Sequence, residues 1–496
     1  MSLPPLASGP DGPSALRPLL ATVLDALQEG ARARGGPLPA GGPATVAARV
    51  RDAVGDVLPE KGDPDALRAL VRALAEGAAD PADPLCAAHL HCPPLAVPTA
   101  ADLAASSLNP SLDSWDQAPA ASELEALVTR ALAHEVYGDT VAHDGHGDTV
   151  VHGVNRDTVA HEVHGDTVAH EVNGDTGAPE AKDAAALVTT GGTEANQLAL
   201  LLAREATGTV HLVCGANAHH SLTRAAWLLG LPQPVVLPTP RGTLDPAALH
   251  TALTDLAGPV LVAATAGTTD AGLIDPLPAL ADLCATHGAR LHIDAAYGGG
   301  LLFSDHHRPK LTGLERAHTV TLDLHKLGWQ PVAAGLLAVR DPHDLHALHH
   351  RADYLNADDD TDAGLPDLLG RSLRTTRRPD ILKIAVTLKT LGRTGLGTLV
   401  DEVCSLAHEF ADLLAAHPGF ELHAPPTIST VLFRPTGATD DTVAAVRRTL
   451  LNDGRAVLGR ARLDGRLWLK ATLLNPHTRP GDLAALLNLV EGSTPR

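Results

Sequence analysis

Residues 319–331 read Thr-Val-Thr-Leu-Asp-Leu-His-Lys-Leu-Gly-Trp-Gln-Pro. The apolar, β-branched run from Thr319 to Leu324 predicts a buried strand, which the following Gly-Trp-Gln-Pro brings to an end. The strand therefore delivers His325 and Lys326 at its carboxyl end. Ligands of open α/β sheets bind at that edge, so this stretch predicts the position of a site together with the fold class.

A second predicted strand, upstream of the first, ends in a carboxylate. Ala289-Arg-Leu-His-Ile is followed by Asp294 and then by Ala295-Ala-Tyr-Gly-Gly-Gly300. Parallel strands bring their carboxyl ends to one edge, so we expect Asp294 and Lys326 to lie close together. An amine for a Schiff base and an anion facing a pyridinium nitrogen are what pyridoxal phosphate requires.

A glycine-rich turn predicts where a phosphate binds. Thr189-Thr-Gly-Gly-Thr-Glu-Ala-Asn196 precedes an apolar helical run over residues 197–203. Glycines let the backbone approach a phosphate, and the amide groups at the start of the helix hold it. The turn is weak support when taken alone, but together with Asp294 and Lys326 it indicates the phosphate of the cofactor.

These motifs resemble a known family. "HIDAAYGGG" (292–300) and "LDLHKLGWQP" (322–331) are similar to the group II pyridoxal-phosphate-dependent amino acid decarboxylases, and the likeness runs from about residue 85 to residue 490 outside residues 138–177. The resemblance implies an α/β protein of the aspartate aminotransferase fold (fold type I). Such a protein has a large domain with a mostly parallel sheet, a small α+β C-terminal domain, pyridoxal 5'-phosphate as cofactor and a homodimeric assembly.

The resemblance also implies the site residues. Lys326, Asp294 and His219 are the expected catalytic residues, and His219 stacks on the cofactor ring opposite Ala296. The residues expected to bind the cofactor are Lys326, Asp294, His219, Gly192, Thr193, Thr269, Ala296 and His325. Substrate-pocket candidates are His89, His91 and Tyr354, with burial in the core as the alternative for the two histidines. No metal ligand is expected.

One family feature is missing. In aromatic decarboxylases of the family, a loop tyrosine protonates the substrate carbanion, and Leu368 aligns with that tyrosine. Either Tyr354 or another donor serves here, or the chemistry departs from simple decarboxylation.

We expect decarboxylation of an L-amino acid to the amine and CO2, with 2,4-diaminobutyrate, ornithine or lysine as substrate. Residues 371–392 resemble bacterial members that act on diamino acids for siderophore synthesis. The acidic loop with Asp358, Asp359, Asp360 and Asp362 is also suited to attract a side-chain ammonium. The alternatives are an aromatic or other L-amino acid substrate, an aldehyde-forming decarboxylase and an aminotransferase.

Residues 138–177 consist of acidic, histidine-bearing nonapeptides such as GDTVAHEVN. This pattern leaves open a non-enzymatic role in binding a metal or a partner. However, no repeat has adjacent glycines, whereas calcium-binding β-helix repeats need paired glycines. We expect a polar, disordered insertion that arose by repeat expansion.

Composition limits the class of protein. The 496 residues are 44% hydrophobic, which supports large cores, and the net charge of −20 argues against a nucleic-acid or anionic-membrane partner. The five cysteines form no CxxC pair, and the chain begins with no signal-peptide pattern and has no apolar stretch of membrane-spanning length. We therefore expect a cytoplasmic enzyme that acts on a small-molecule amino acid.

The chain divides into three expected parts. Residues 1–88 form an N-terminal helical segment, 89–395 the large cofactor-binding domain with the insertion at 138–177, and 396–496 the small domain. Within 1–88 the sequence predicts helices over Ser14–Gln28 and Pro64–Glu76. In the large domain, Ser122-Glu-Leu-Glu125 predicts the start of a helix through a capping box.

Overall fold

The computed structural model describes residues 4–138, 184–350, 352 and 354–495. Residues 139–177 of the repeat tract lie outside this part, so their disorder stays a prediction. Among the described residues, no helix is long and apolar enough to cross a membrane.

The helices cover all three parts of the chain. They are α1 (Gly12–Arg34), α2 (Gly42–Val54), α3 (Ala66–Gly77), α4 (Ala96–Leu108), α5 (Pro119–Tyr137), α6 (Gly192–Thr207), α7 (His220–Leu228), α8 (Pro246–Asp255), α9 (Leu277–His287), α10 (Asp358–Asp362), α11 (Ile381–Ala416), α12 (Asp440–Asn452) and α13 (Pro480–Gly492).

The strands form two sheets. They are β1 (Ala185–Thr189), β2 (His211–Gly215), β3 (Val235–Leu237), β4 (Val260–Thr265), β5 (Arg290–Ala295), β6 (Thr319–Asp323), β7 (Gly335–Val339), β8 (Phe420–Leu422), β9 (Thr430–Pro435), β10 (Gly459–Leu463) and β11 (Arg466–Thr472). The large sheet has the order β1-β7-β6-β5-β4-β2-β3. In it β7 runs antiparallel to β1 and β6, and the remaining pairs are parallel. The predicted mostly parallel α/β sheet is confirmed.

Helices cover both faces of the large sheet. On one face, Leu132 of α5 and Leu280 of α9 share a core with alternate strand residues such as Val262. On the other face, Leu222 of α7 packs with Leu261. Because both faces are covered, the central strands are apolar throughout, and every residue of β4 is buried.

The small domain is an antiparallel sheet of order β10-β11-β9-β8 with α12 and α13 packed on it. The predicted α+β C-terminal domain is therefore present. Helix α11 connects the two domains, and its regular backbone is interrupted at Gly392, where φ is 65°. The predicted domain boundary at 395/396 falls inside this helix, just after the interruption.

The N-terminal segment contains a helix that the sequence analysis missed. The sequence predicts helices over Ser14–Gln28 and Pro64–Glu76 and none between them, but α2 occupies Gly42–Val54. Pro43 lies in its first turn, where the missing N–H has no helical partner to lose. The Gly-Pro pair therefore marks the start of a helix as well as the end of a loop.

The predicted capping box at Ser122 is wrong. Helix α5 begins at Pro119, so Ser122 lies inside it and donates its hydroxyl to the Pro119 carbonyl at 2.8 Å. Glu125 is buried and accepts two hydrogen bonds from Nη1 of the buried Arg377, at 2.8 and 3.0 Å. The two glutamates of the motif therefore have different roles. Glu125 links α5 to the segment before α11 through Arg377, whereas Glu123 is exposed.

This buried ion pair generates a stability prediction. Glu125→Ala leaves the Arg377 charge buried without its partner, which typically costs about 3–5 kcal/mol. We expect a clearly lower unfolding midpoint in thermal or urea denaturation. Glu123→Ala on the same helix is the matched control and should leave the midpoint nearly unchanged. Equal midpoints for the two variants would contradict a stabilising role for the pair.

Candidate active site

A cavity of about 380 Å³ opens at the carboxyl edge of the large sheet. All eight residues that the family resemblance places against a cofactor line it: Lys326, Asp294, His219, Gly192, Thr193, Thr269, Ala296 and His325. They come from chain segments that are far apart in sequence. The sheet brings them together.

Strand pairing places the carboxylate and the amine side by side. Asp294 of β5 pairs with Thr321 of β6, and the two strands are parallel, so both end at the same edge. Lys326 follows β6 in a tight turn, in which its backbone N–H donates to the Asp323 carbonyl at 3.1 Å. The expected proximity of Asp294 and Lys326 thus follows from parallel pairing.

Asp323 is a site residue that the sequence analysis did not single out. Its carboxylate is buried, and Oδ2 lies 2.9 Å from Lys326 Nζ and 3.5 Å from His325 Nε2. The sequence indicated this contact, because a carboxylate three residues before a lysine can lie beside it when the chain turns between them. Asp323 therefore holds the lysine ammonium in the cavity.

Asn196 holds the carboxylate of Asp294. Its Nδ2 donates to Asp294 Oδ2 at 2.8 Å, and the Ala296 N–H donates to Oδ1 at 3.1 Å. The Oδ1 atom of Asn196 accepts from the Thr321 hydroxyl at 2.8 Å and lies 3.0 Å from His292 Nε2. An amide oxygen only accepts, so the proton of His292 must be on Nε2. Burial lowers the pKa of His292 to about 4, which keeps this ring neutral.

The same network orients His219. Asn196 Nδ2 also donates to Ser221 Oγ at 2.9 Å, so the Ser221 hydroxyl is free to donate to His219 Nδ1 at 2.8 Å. The Ser221 N–H donates to the same nitrogen at 3.3 Å. Nδ1 is thus an acceptor, and the ring proton lies on Nε2. Burial lowers the pKa of His219, so its neutral form is favoured.

The other end of the cavity suits a phosphate. A Cβ at Gly191 would lie 3.0 Å from His325 Cε1, and one at Gly192 would lie 3.1 Å from Ala296 Cβ. Helix α6 begins at Gly192 and points its amide groups at this end. Among the described residues that line the cavity, Thr265 Oγ1, Asp323 Oδ1 and His325 Nδ1 are buried polar atoms without a hydrogen-bond partner.

These features fit pyridoxal phosphate. The glycine turn and the helix start suit its phosphate, Asp294 suits its ring nitrogen, and Lys326 supplies the amine. The three polar atoms without hydrogen-bond partners leave hydrogen-bonding capacity for a ligand. The donors and acceptors of the cavity therefore match the cofactor that the sequence motifs imply.

Three predicted residues lie elsewhere. His89 and His91 are exposed and do not line the cavity, although Leu90 between them does. The alternative of core packing does not describe these two histidines either. Tyr354 is 82% exposed and also lies outside the cavity of this chain.

Four residues were missed as site residues: Asp323, which lines the cavity, and Asn196, Ser221 and His292, which lie behind the lining. Asn196, His292 and Asp323 stand inside the quoted motifs, and Ser221 follows His219 by two residues. The sequence shows these residue types but not the hydrogen bonds that they make. Asn196, Ser221 and His292 are fully buried, which explains why Asn196 bonds to the other two and not to water.

Comparison with known proteins agrees with this geometry. The pyridoxal-dependent decarboxylase conserved domain matches residues 176–436. An L-2,4-diaminobutyrate decarboxylase of Rhizobium meliloti (strain 1021) is 38% identical over 461 residues, covering 89% of this chain and 84% of the relative. One of the same name from Acinetobacter baumannii is 30% identical over 439 residues, covering 81% and 78%.

A solved structure is similar over nearly its whole length. It is the glutamate decarboxylase domain of diaminobutyrate-pyruvate transaminase and L-2,4-diaminobutyrate decarboxylase from Vibrio parahaemolyticus. The TM-score is 0.79 at 28% identity, with 98% of this chain and 97% of that chain covered. The chain therefore belongs to the pyridoxal-dependent decarboxylase family and uses pyridoxal phosphate as its cofactor.

Proposed function

We propose that this enzyme decarboxylates an L-amino acid that carries a second amino group, with L-2,4-diaminobutyrate as the first candidate and ornithine and lysine next. The observation that carries the substrate class is the similarity, along most of the chain, to two L-2,4-diaminobutyrate decarboxylases. Family membership supports the carboxy-lyase reaction itself.

The charges of the cavity disfavour a substrate with a second carboxylate. Its lining carboxylates, Asp294 and Asp323, would serve the cofactor nitrogen and Lys326, and the described lining contains no arginine. A substrate with a second carboxylate would need a cation to bind it, and Lys326 is already committed to the cofactor. The acidic loop is a less direct support, since Asp359, Asp360 and Asp362 are exposed and do not line the cavity.

The chemistry that bound pyridoxal phosphate supplies is an electron sink for the pair released when the α-carboxylate leaves as CO2. Lys326 would hold the cofactor covalently and give way to the substrate amine. Asp294 would keep the ring nitrogen protonated, because Asn196 and the Ala296 N–H hold its carboxylate in place. Gly192, Thr193 and His325 would hold the phosphate.

His219 would act on the substrate side of the ring. Its Nδ1 is occupied by Ser221, so the neutral ring keeps a proton at Nε2. Leu368 is buried against Leu112 and Ala118 and has no proton to give, and Tyr354 lies outside the cavity. The His219 Nε2–H would therefore donate a hydrogen bond that orients the substrate, because a neutral imidazole holds this proton too tightly to pass it to Cα.

A homodimer is part of this proposal. Leu24 of α1 and Leu74 of α3 are 66% and 71% exposed, and further exposed apolar residues of the same helices are Leu19, Leu27, Leu67 and Leu70. Such a patch on a protein of net charge −20 indicates a protein interface. A cytoplasmic location is supported by the five cysteines, all of which are free thiols.

The role of Lys326 can be tested by spectroscopy. Lys326→Ala should lose the visible absorption band of the bound cofactor and all measurable turnover, because no other amine lines the described cavity. Lys389→Ala, at an exposed position of α11, is the matched control and should keep both. A visible band of normal intensity in the Lys326 variant would overturn the assignment.

The substrate class can be tested by kcat/KM across 2,4-diaminobutyrate, ornithine, lysine, glutamate, tyrosine, tryptophan and valine. We expect one of the three diamino acids to be used best, and the product to be the amine and CO2. A preference for glutamate, an aromatic or a plain aliphatic amino acid would refute the substrate class. Ammonia or an aldehyde as product would instead favour oxidative decarboxylation, and an α-keto acid would favour an aminotransferase.

The assembly can be tested by light scattering after size exclusion. We expect the mass of two chains for the wild type and of one chain for Leu24→Asp combined with Leu74→Asp, since a charge in an apolar interface is costly. Leu228→Asp, at a position of α7 that is 59% exposed, should stay dimeric. A dimer that survives the double substitution would place the interface elsewhere.

A further inference from the structure

A second cavity lies at the edge of the large sheet opposite the active site. It has a volume of about 420 Å³ and opens between the last turns of α9 and the ends of β5, β6 and β7. Arg290, Arg316, Arg340 and His318 line it together with small apolar residues of α9. Arg290 begins β5, whose other end carries Asp294, so the two sites are about 13 Å apart along the strand.

The charges of this cavity are not fully neutralised. Arg290 pairs with Asp344, and Arg316 Nη1 lies 2.7 Å from Asp282 Oδ1. Arg340 donates from Nη1 to the Arg316 carbonyl at 3.1 Å, and within the described part of the chain it has no carboxylate partner. The charges of Arg290 and Arg316 are thus compensated, and Arg340 carries the uncompensated positive charge of the described lining.

His318 adds a neutral donor. The Leu291 N–H donates to His318 Nδ1 at 3.1 Å, so the ring proton lies on Nε2. Burial and the charges of Arg340 and Arg290 lower the pKa of His318 to about 4. The ring is therefore neutral at physiological pH, and its Nε2–H is a hydrogen-bond donor among the lining arginines.

Capping of α9 does not account for the arginines. The last carbonyls of the helix accept from backbone groups, since the Gly288 N–H donates to Ala285 at 3.4 Å and the Ala289 N–H donates to Cys284 at 2.9 Å. The guanidinium groups thus have donors left for another acceptor. In a chain of net charge −20, the uncompensated charge of Arg340, with the free guanidinium donors of Arg290 and Arg316 beside it, makes this cavity a local site for an anion.

We propose that this cavity binds a phosphate group, either as inorganic phosphate or as part of a small phosphate ester. Guanidinium groups match phosphate oxygens with paired hydrogen bonds, and three of them together with the His318 N–H suit a dianion with several acceptor oxygens. The volume lies within the range of small-molecule pockets and leaves room for more than the phosphate. The site is separate from the cofactor site and does not depend on the substrate proposed above.

The experiment is calorimetric titration of the cofactor-loaded enzyme with inorganic phosphate, with succinate in parallel, at constant ionic strength. In the loaded enzyme the phosphate end of the active site is already filled, so new binding reports another site. We expect saturable binding of one phosphate per chain, stronger than that of succinate. Arg340→Ala should weaken it by about tenfold or more, since a charged hydrogen bond is lost.

Arg448→Ala is the matched control, because it removes the same charge from an exposed position of α12 and should leave the affinity unchanged. Arg340 is itself exposed, so its variant should keep the unfolding midpoint of the wild type in phosphate-free buffer. Arg316→Ala is a second variant with the same expected loss. The proposal is overturned by an absence of saturable binding, by equal losses in the Arg340 and Arg448 variants, or by tighter binding of succinate.

Discussion

The buried carboxylate of Asp294 is the constraint on which the active site depends. A charge with 5% exposure is stable only when hydrogen bonds replace its water. The Asn196 amide and the Ala296 N–H do so, and Asn196 is itself held by Thr321 and His292. Since Asn196 Oδ1 accepts from both Thr321 and His292, the proton of the neutral His292 ring must be on Nε2.

Because Asn196 also donates to Ser221, the network reaches the ring of His219. Asp294, which would hold the cofactor nitrogen, and His219, which would orient the substrate, are therefore positioned by one amide group. The members come from α6, α7, β5 and β6. These residues meet only when the sheet is fully formed, so the geometry of the site depends on the stability of the fold.

Close backbone approach is the second requirement of the cavity. A Cβ at Gly335, the first residue of β7, would lie 2.4 Å from the Cα of Gly191. The glycine turn can thus lie against the sheet only because both positions lack side chains. The reversed direction of β7 also places Arg340 at the far edge beside Arg290, which begins β5. The same strand therefore helps to form both cavities.

The sequence by itself determined the α/β class, the two strand ends that carry Asp294 and Lys326, and the glycine turn before α6. These features depend on local pattern and on the rule that parallel strands share an edge. Local pattern predicts the wrong role where the partner is distant in sequence. Glu125 resembled part of a capping box, but it forms an ion pair with Arg377. Only the tertiary structure decided the hydrogen bonds of Asn196, the tautomer of His219 and the grouping of Arg290, Arg316 and Arg340. The physical reason is that a hydrogen bond or a local field depends on which atoms meet in space, and these atoms belong to segments that the sequence keeps far apart.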